Sequence, residues 1–138
     1  MLKSGRFDDA TANLQKAVQL NPLNAGARLN LGIVLMQRGN PSQALKEFDD
    51  VLRTNPGIAP AYFMRAFALM ELKRVDEAVP AFRAGLRLKP DDVEAHYGLG
   101  TALLAQRRKD EAVAELREAL RLRPDFAPAR ELLRQIGQ

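Results

Sequence analysis

The chain has 138 residues, of which 46% are hydrophobic and 28% charged, a balance typical of one soluble globular domain rather than a disordered chain. Because the chain contains no cysteine, disulfide bonds and thiolate metal sites are excluded. The net charge of +4 comes from 21 basic and 17 acidic residues mixed along the same segments, which disfavours a clustered basic face for nucleic acid.

Four prolines divide the chain into units of equal length. Pro22, Pro56, Pro90 and Pro124 are spaced 34 residues apart, and each follows a leucine-rich stretch with helical periodicity. Because proline ends or kinks a helix, the four positions predict helix boundaries. The predicted units are three full repeats at 25–58, 59–92 and 93–126, a partial repeat at 1–24 and a capping helix at 127–138.

The partial repeat at residues 1–24 fits the end of a first helix followed by a second helix that begins near Asp8. Its preceding partner helix is missing, which indicates either a fragment or an apolar face covered by something else, such as another copy. Uncovered, this face would expose Phe7, Ala10 and Leu14. Asp8 and Asp9 stand where a signal peptide would be apolar, and no run approaches the roughly 18 apolar residues of a membrane span. We therefore expect a cytoplasmic protein with no direct membrane insertion.

Each full repeat contains two stretches of helical periodicity separated by a short polar turn, and together with the flanking segments they predict eight helices and no strand. The expected helix breaks lie near Pro22, Gly39, Pro56, Lys73, Pro90, Arg108 and Pro124. Small residues recur where the two helices of a hairpin would cross closely, at Gly32, Ala66 and Gly100 on the first helices and Ala44, Ala78 and Ala112 on the second.

Helix starts carry residues suited to capping. Asp76 and Asp110 open second helices, where a carboxylate favours the free amides and the positive end of the helix dipole. In the first full repeat, Asn40, Pro41 and Gln43 instead predict a cap, a first-turn proline and a capping-box partner. In the C-terminal helix, Arg134 occupies the place of the small crossing residue, so we expect this helix to cap the stack.

The repeated residues resemble the tetratricopeptide repeat signature, which has the same 34-residue period. The match in the first full repeat comprises Leu31, Gly32, Leu35, Ala44, Phe48 and Pro56. The resemblance implies an all-α, right-handed α-solenoid of antiparallel helical hairpins. It also implies that the first helices of successive repeats line a concave groove that binds partner peptides.

Projected onto the first helices, the inward positions of such a groove are mostly apolar. The expected groove residues are Leu29, Asn30, Ile33, Met36, Phe63, Met64, Phe67, Met70, Tyr97, Thr101 and Leu104. Phe63, Phe67 and Met70 fall outside the repeat's own core positions, so they predict an exposed hydrophobic binding surface. The alternative is that these side chains pack between adjacent first helices. Leu29 and Ile33 stand where one subset of the family carries polar or basic residues that clamp a terminal carboxylate, which disfavours that ligand.

No catalytic or cofactor constellation is visible in the sequence. His96 is the only histidine, no cysteine could share a metal with it, and its position in a first helix favours a packing role. No glycine-rich phosphate loop follows a strand, so no nucleotide or other cofactor is expected. We therefore expect a non-enzymatic scaffold or adaptor that binds a protein or peptide with apolar anchors and no nucleic acid. The alternative is a scaffold that forms homodimers or larger assemblies through its unpaired N-terminal helix or its groove.

Overall fold

The computed structural model describes residues 4–138, and within that range it contains helices and no strand. The helices are α1 (Ser4–Leu20), α2 (Ala25–Gln37), α3 (Pro41–Thr54), α4 (Ala59–Glu71), α5 (Val75–Leu88), α6 (Val93–Ala105), α7 (Lys109–Leu122) and α8 (Ala127–Gln135). The predicted all-α fold and the predicted helix breaks are confirmed.

The helices form a linear stack in which each packs mainly against its neighbours in sequence. The pairs α2/α3, α4/α5 and α6/α7 form the three hairpins, and α3/α4 and α5/α6 join one hairpin to the next. Successive first helices also touch, because α2 contacts α4 and α4 contacts α6. This nearest-neighbour arrangement is that of a solenoid, whose repeats each bury surface against the adjoining repeat.

The two helices of a hairpin cross closely where the sequence places small residues. A Cβ atom built on Gly32 would lie 2.4 Å from the Phe48 ring, and one on Gly100 would lie 2.9 Å from Leu116 Cγ. Ala66, which holds the equivalent place in the middle repeat, is fully buried. The predicted close crossings are therefore confirmed, because any larger side chain would push the paired helices apart.

Two groups of buried apolar side chains hold the stack together. The larger group runs from α2 to α7, and a smaller one joins α7 to α8. The largest fully buried side chains are Phe48, Phe82, Leu69, Leu99, Leu103, Leu116 and Val51. Each contributes about 1.5–3 kcal/mol by leaving water, so these residues supply much of the folding free energy.

Two expectations about helix starts are wrong. Helix α1 is already formed at Ser4, so Asp8 lies inside it and does not open it. Asn40 does precede α3, but its side chain makes no capping hydrogen bond, and Pro41 at the first helical position has no amide hydrogen to satisfy. Asp76 and Asp110 do lie in the first turns of α5 and α7.

The structure shows side-chain caps at two starts that the pattern had not singled out. Asn24 Oδ1 accepts a hydrogen bond from the Ala27 amide at 3.0 Å, and Asp92 Oδ1 accepts one from the Ala95 amide at 2.9 Å. Both residues stand three positions before the amide they satisfy, the usual geometry of a helix N-cap. They fix the entry of the chain into the first helices α2 and α6.

Helix α1 occupies the register of a second helix and packs mainly on α2. Leu14 is half-buried against the main core, and Ala10 is half-buried as well. The predicted exposure of Phe7 lies outside the described side chains. An ion pair of 2.7 Å between Arg38 and Asp8 ties α1 to the residue that follows α2.

The three hairpin turns share one backbone conformation. Gly39, Lys73 and Arg107 lie 34 residues apart and have φ angles of 80°, 62° and 63°. In each turn the next amide, that of Asn40, Arg74 or Arg108, donates to a carbonyl five residues earlier. This is a Schellman-type helix end, for which a left-handed residue is required.

Glycine replacements at the second and third turns should therefore stabilise the fold. A non-glycine residue in the left-handed region costs on the order of 1 kcal/mol, so Lys73→Gly and Arg107→Gly should each raise the free energy of unfolding by about 1 kcal/mol. Gly39→Ala should lower it by a similar amount, because alanine meets the same penalty there. Urea unfolding of the three variants checks the prediction, and a loss of stability in both glycine variants would contradict it.

Candidate binding groove

The eleven expected groove residues lie on the successive first helices α2, α4 and α6. Asn30 is exposed and Phe63 is buried, whereas the other nine are half-buried. These nine are Leu29, Ile33, Met36, Met64, Phe67, Met70, Tyr97, Thr101 and Leu104. Half-burial means that these side chains pack partly on their neighbours and leave part of their surface accessible.

Phe63 is a core residue, so its assignment as an exposed anchor is wrong. Its side chain is only 4% exposed, and it fills the space above Gly85 of α5. A Cβ atom on Gly85 would lie 2.4 Å from Phe63 Cε1. In the other two full repeats, the position of Gly85 is occupied by Val51 and Ala119. The missing side chain at Gly85 thus makes room for the phenyl ring inside the middle repeat.

Phe67 is only partly accessible because it joins two repeats. Its ring meets Phe82 of α5 edge to face, with the centroids 5.0 Å apart. A Cβ atom on Gly98 of α6 would lie 3.0 Å from Phe67 Cε1. The alternative reading, packing between neighbouring helices, therefore applies to this ring, although its half-buried state leaves one part free for contact.

At the C-terminal end of the groove, Tyr97 also takes part in packing. Its ring meets the Phe126 ring edge to face, with the two centroids 5.6 Å apart. The Arg123 guanidinium lies over the Phe126 ring, 5.6 Å from the centroid. The Thr101 hydroxyl donates to the Tyr97 carbonyl at 3.0 Å. Both side chains are thus fixed by internal contacts.

The accessible apolar surface that remains is rich in methionine. Three of the four methionines of the chain, Met36, Met64 and Met70, are half-buried on first helices. Ile33 and Leu104 add half-buried aliphatic surface on α2 and α6. Methionine is flexible and polarisable, so a surface of this composition adapts to different apolar partners.

Four exposed polar residues on these first helices are neutral or acidic. Asn30 and Gln37 are exposed on α2, Glu71 is exposed at the end of α4, and Glu94 is exposed in the first turn of α6. Two carboxylates near an apolar surface favour a ligand that carries basic residues next to its apolar ones.

Several ion pairs in the described part of the chain join exposed residues three positions apart. Arg74 holds the pKa of Glu77 below its usual value through a side-chain hydrogen bond, and Arg121 does the same to Glu118. These pairs are three residues apart and exposed, so solvent screens them. Within the described part of the chain, no group of three or more His, Cys, Asp or Glu side chains could hold a metal ion.

His96 is buried, and both of its ring nitrogens bind protein atoms. Nδ1 lies 2.7 Å from Glu115 Oε2, and Nε2 lies 2.7 Å from the carbonyl oxygen of Pro90. The residue therefore serves the packing of the third repeat.

Two tetratricopeptide repeat family models match the sequence, one over residues 1–67 and the other over residues 63–127. The chain belongs to the tetratricopeptide repeat family. No curated protein matches it at a significant level. None of the helices within residues 4–138 is long and apolar enough to cross a membrane.

Solved structures of other tetratricopeptide repeat proteins share the fold. The chain superposes on a crystal structure of MamA with a TM-score of 0.87 and 24% identity, covering 91% of this chain and 74% of that one. For YrrB, described as a protein with an unusual peptide-binding site, the TM-score is 0.85 at 23% identity, with coverages of 95% and 68%. The domain of Arabidopsis OM64 gives 0.80 at 23%, with coverages of 82% and 93%. At these identities the likeness establishes the fold.

The pairing of Phe63 with Gly85 generates a stability prediction. Phe63→Ala should lower the free energy of unfolding by about 3–5 kcal/mol through the cavity it leaves, and Gly85→Ala by about 1–3 kcal/mol through the clash. Combining Phe63→Leu with Gly85→Ala should recover part of the loss, because the smaller side chain leaves room for the new methyl group. A double-mutant cycle measured by urea unfolding tests this coupling.

Gly26→Ala is the matched control for that cycle. Gly26 also lies in a helix, but a Cβ atom there would meet only Asn24 Oδ1, at 3.5 Å. Alanine should therefore be neutral or slightly stabilising at this position. Strictly additive effects of the changes at residues 63 and 85 would contradict the proposed contact.

Proposed function

We propose that this chain is a protein-interaction scaffold that binds an extended peptide or an amphipathic helix across α2, α4 and α6. The observation that carries the proposal is the half-buried methionine and aliphatic surface of Met36, Met64, Met70 and Leu104 on these helices. Members of the repeat family generally act as non-enzymatic scaffolds, and we propose the same for this chain. A cytoplasmic location remains a prediction.

The ligand chemistry follows from the surface and its borders. Apolar side chains of the partner would contact the methionines, and basic side chains would lie near Glu71 and Glu94. The description of YrrB as having an unusual peptide-binding site supports a peptide ligand for a chain of this fold. Phe63 has no part in this surface, because its ring is buried beside Gly85.

A peptide library with defined composition tests the proposal. Peptides that carry two spaced leucine or phenylalanine residues beside lysine or arginine should bind the chain better than the same peptides with alanine at the apolar positions. For a selected peptide, combining Met64→Ala with Met70→Ala should weaken binding at least about tenfold, which corresponds to about 1.4 kcal/mol. Fluorescence anisotropy measures the affinity, and circular dichroism confirms that the variant is folded.

The combination of Leu20→Ala with Leu23→Ala is the matched control for the methionine variant. It also removes two large apolar side chains, which are 78% and 76% exposed at the turn that follows α1. Peptide affinity should not change in this control. Wild-type affinity in the folded methionine variant would contradict binding at the proposed surface.

Self-association is the second candidate function, and the exposed leucines favour it. Leu20 is the last residue of α1, and Leu23 lies in the turn that follows. Helix α1 corresponds to the second helix of a repeat. If this end docks on another copy, the solution mass should rise with protein concentration. The Leu20→Ala, Leu23→Ala variant should then remain monomeric. Sedimentation equilibrium checks both outcomes, and a wild-type chain that stays monomeric at high concentration would contradict self-association.

A further inference from the structure

One position in the first helix of each full repeat varies in its chemistry, and in the first and third full repeats its side chain contacts the turn that enters the helix. The residues at this position, 34 apart, are Arg28, Tyr62 and His96. The Arg28 guanidinium lies 3.0 Å from Glu47 Oε2, 3.2 Å from Asp50 Oδ2 and 3.3 Å from the carbonyl oxygen of Pro22. A permanent cation therefore ties the turn before α2 to the following helix α3.

His96 repeats this arrangement two repeats later. Glu115 occupies the register of Glu47, and Pro90 occupies the register of Pro22. The imidazole bridges the two, with 2.7 Å from Nδ1 to the Glu115 carboxylate and 2.7 Å from Nε2 to the Pro90 carbonyl oxygen. It thereby joins the turn between α5 and α6 to α7.

The middle repeat shows that the fold does not require a cation at this position. Tyr62 replaces the cation there, and Ala81 stands where the other two full repeats have glutamate. Within this chain, a cation in the first helix thus occurs with a carboxylate in the second, and an aromatic residue occurs with alanine. The ion pair is a feature of particular repeats rather than of the scaffold.

The partners of His96 determine how many protons its ring carries. A carboxylate and a backbone carbonyl are both acceptors, so each contact needs an N–H donor from the ring. A neutral imidazole has one N–H group, whereas the imidazolium has two. With Glu115 ionised, only the protonated ring satisfies both contacts, and the His96 side chain is only 11% exposed.

We infer that His96 is a proton-dependent latch, which holds the turn between α5 and α6 to α7 when both ring nitrogens are protonated and releases one of these contacts when a proton is lost. Loss of the proton leaves a ring nitrogen lone pair facing an oxygen lone pair at hydrogen-bond distance. The junction between the second and third full repeats is then held by apolar packing and weakened polar contacts.

The charged groups around the latch favour the protonated ring. Glu115 and Glu118 act on the ring from α7. Arg83 and Arg87 of α5 line a surface cavity together with His96. Lys89 and Asp92 belong to the turn that connects α5 to α6. Arg83 pairs with Glu111 at 3.7 Å, and Lys89 pairs with Asp92 at 3.7 Å. These ion pairs partly offset the charges of Arg83 and Lys89, which would otherwise oppose protonation of the ring. The two glutamates of α7 favour protonation.

The hydrogen bond to Glu115 raises the pKa of His96 above its ordinary value, with further contributions from the Pro90 carbonyl and the charge of Glu118, while burial opposes the shift. Because the pKa is higher in the folded state than in the unfolded state, the stabilisation is fully present below the unfolded value of about 6.5. It is lost as the pH rises through the folded-state pKa. The latch therefore opens as the pH rises above the ordinary pKa of histidine.

A nuclear magnetic resonance titration of the wild-type chain tests the inference directly, because the chain has a single histidine. Ring ¹⁵N shifts at about pH 6.5 should show both nitrogens protonated, and the titration midpoint should lie above the ordinary value. A neutral ring at that pH, or a midpoint at or below the ordinary value, would overturn the latch.

Stability measurements between about pH 5.5 and pH 9 supply the second readout. The folded-to-unfolded ratio of the wild type should fall with rising pH by about tenfold for each unit by which the folded pKa exceeds the unfolded one. His96→Arg, which reproduces the Arg28 arrangement, should remove this dependence while keeping the contacts. Combining His96→Tyr with Glu115→Ala reproduces the middle repeat and should also remove it. A slope equal to that of the wild type in both variants would refute the proposal.

Discussion

The close crossing of the two helices in each hairpin is the constraint on which the rest of the structure depends. At Gly32 and Gly100 a hydrogen atom faces Phe48 and Leu116, and a methyl group would already overlap with them. Such contacts let apolar side chains of both helices pack at the density of a protein interior. The contacts of α3 with α4 and of α5 with α6 then join these hairpins, and α2, α4 and α6 come to lie side by side. The surface available to a partner is thus set by residues that do not contact the partner.

The fold could be predicted from the sequence because its determinants are periodic and local. Four prolines at a constant interval, together with a small residue and a large one at fixed places, fix the helix breaks and the crossings. Helix starts were less predictable. Asn24 and Asp92 form caps that the residue types allow, whereas Asn40 precedes Pro41 and forms none. Cap formation depends on the backbone angles of one residue, which a pattern of residue types does not determine.

The candidate site could be predicted only in part, because access to a side chain depends on residues far away in sequence. A projection onto one helix places Phe63 and Met70 on the same side, but Gly85 in the next helix provides space that only the phenyl ring fills. The relevant signal was present as a glycine where the other full repeats have Val51 and Ala119. Recognising it requires comparing volumes across paired helices. Met36, Met64 and Met70, by contrast, are half-buried.

The repeats share one backbone geometry, but the residue type at a given position differs between them. The junctions between repeats therefore differ in how they respond to pH. Arg28 holds the first full repeat to the preceding turn with a charge that persists at any physiological pH, and Tyr62 uses no charge. His96 makes the equivalent contacts of the third full repeat with a group whose pKa the Glu115 hydrogen bond raises above its ordinary value. Because the groove residue Tyr97 directly follows His96 in α6, loosening the entry turn of this helix would alter the C-terminal part of the proposed binding surface before the N-terminal part. A partner that spans all three first helices would therefore lose contacts at one end first when the ring is deprotonated.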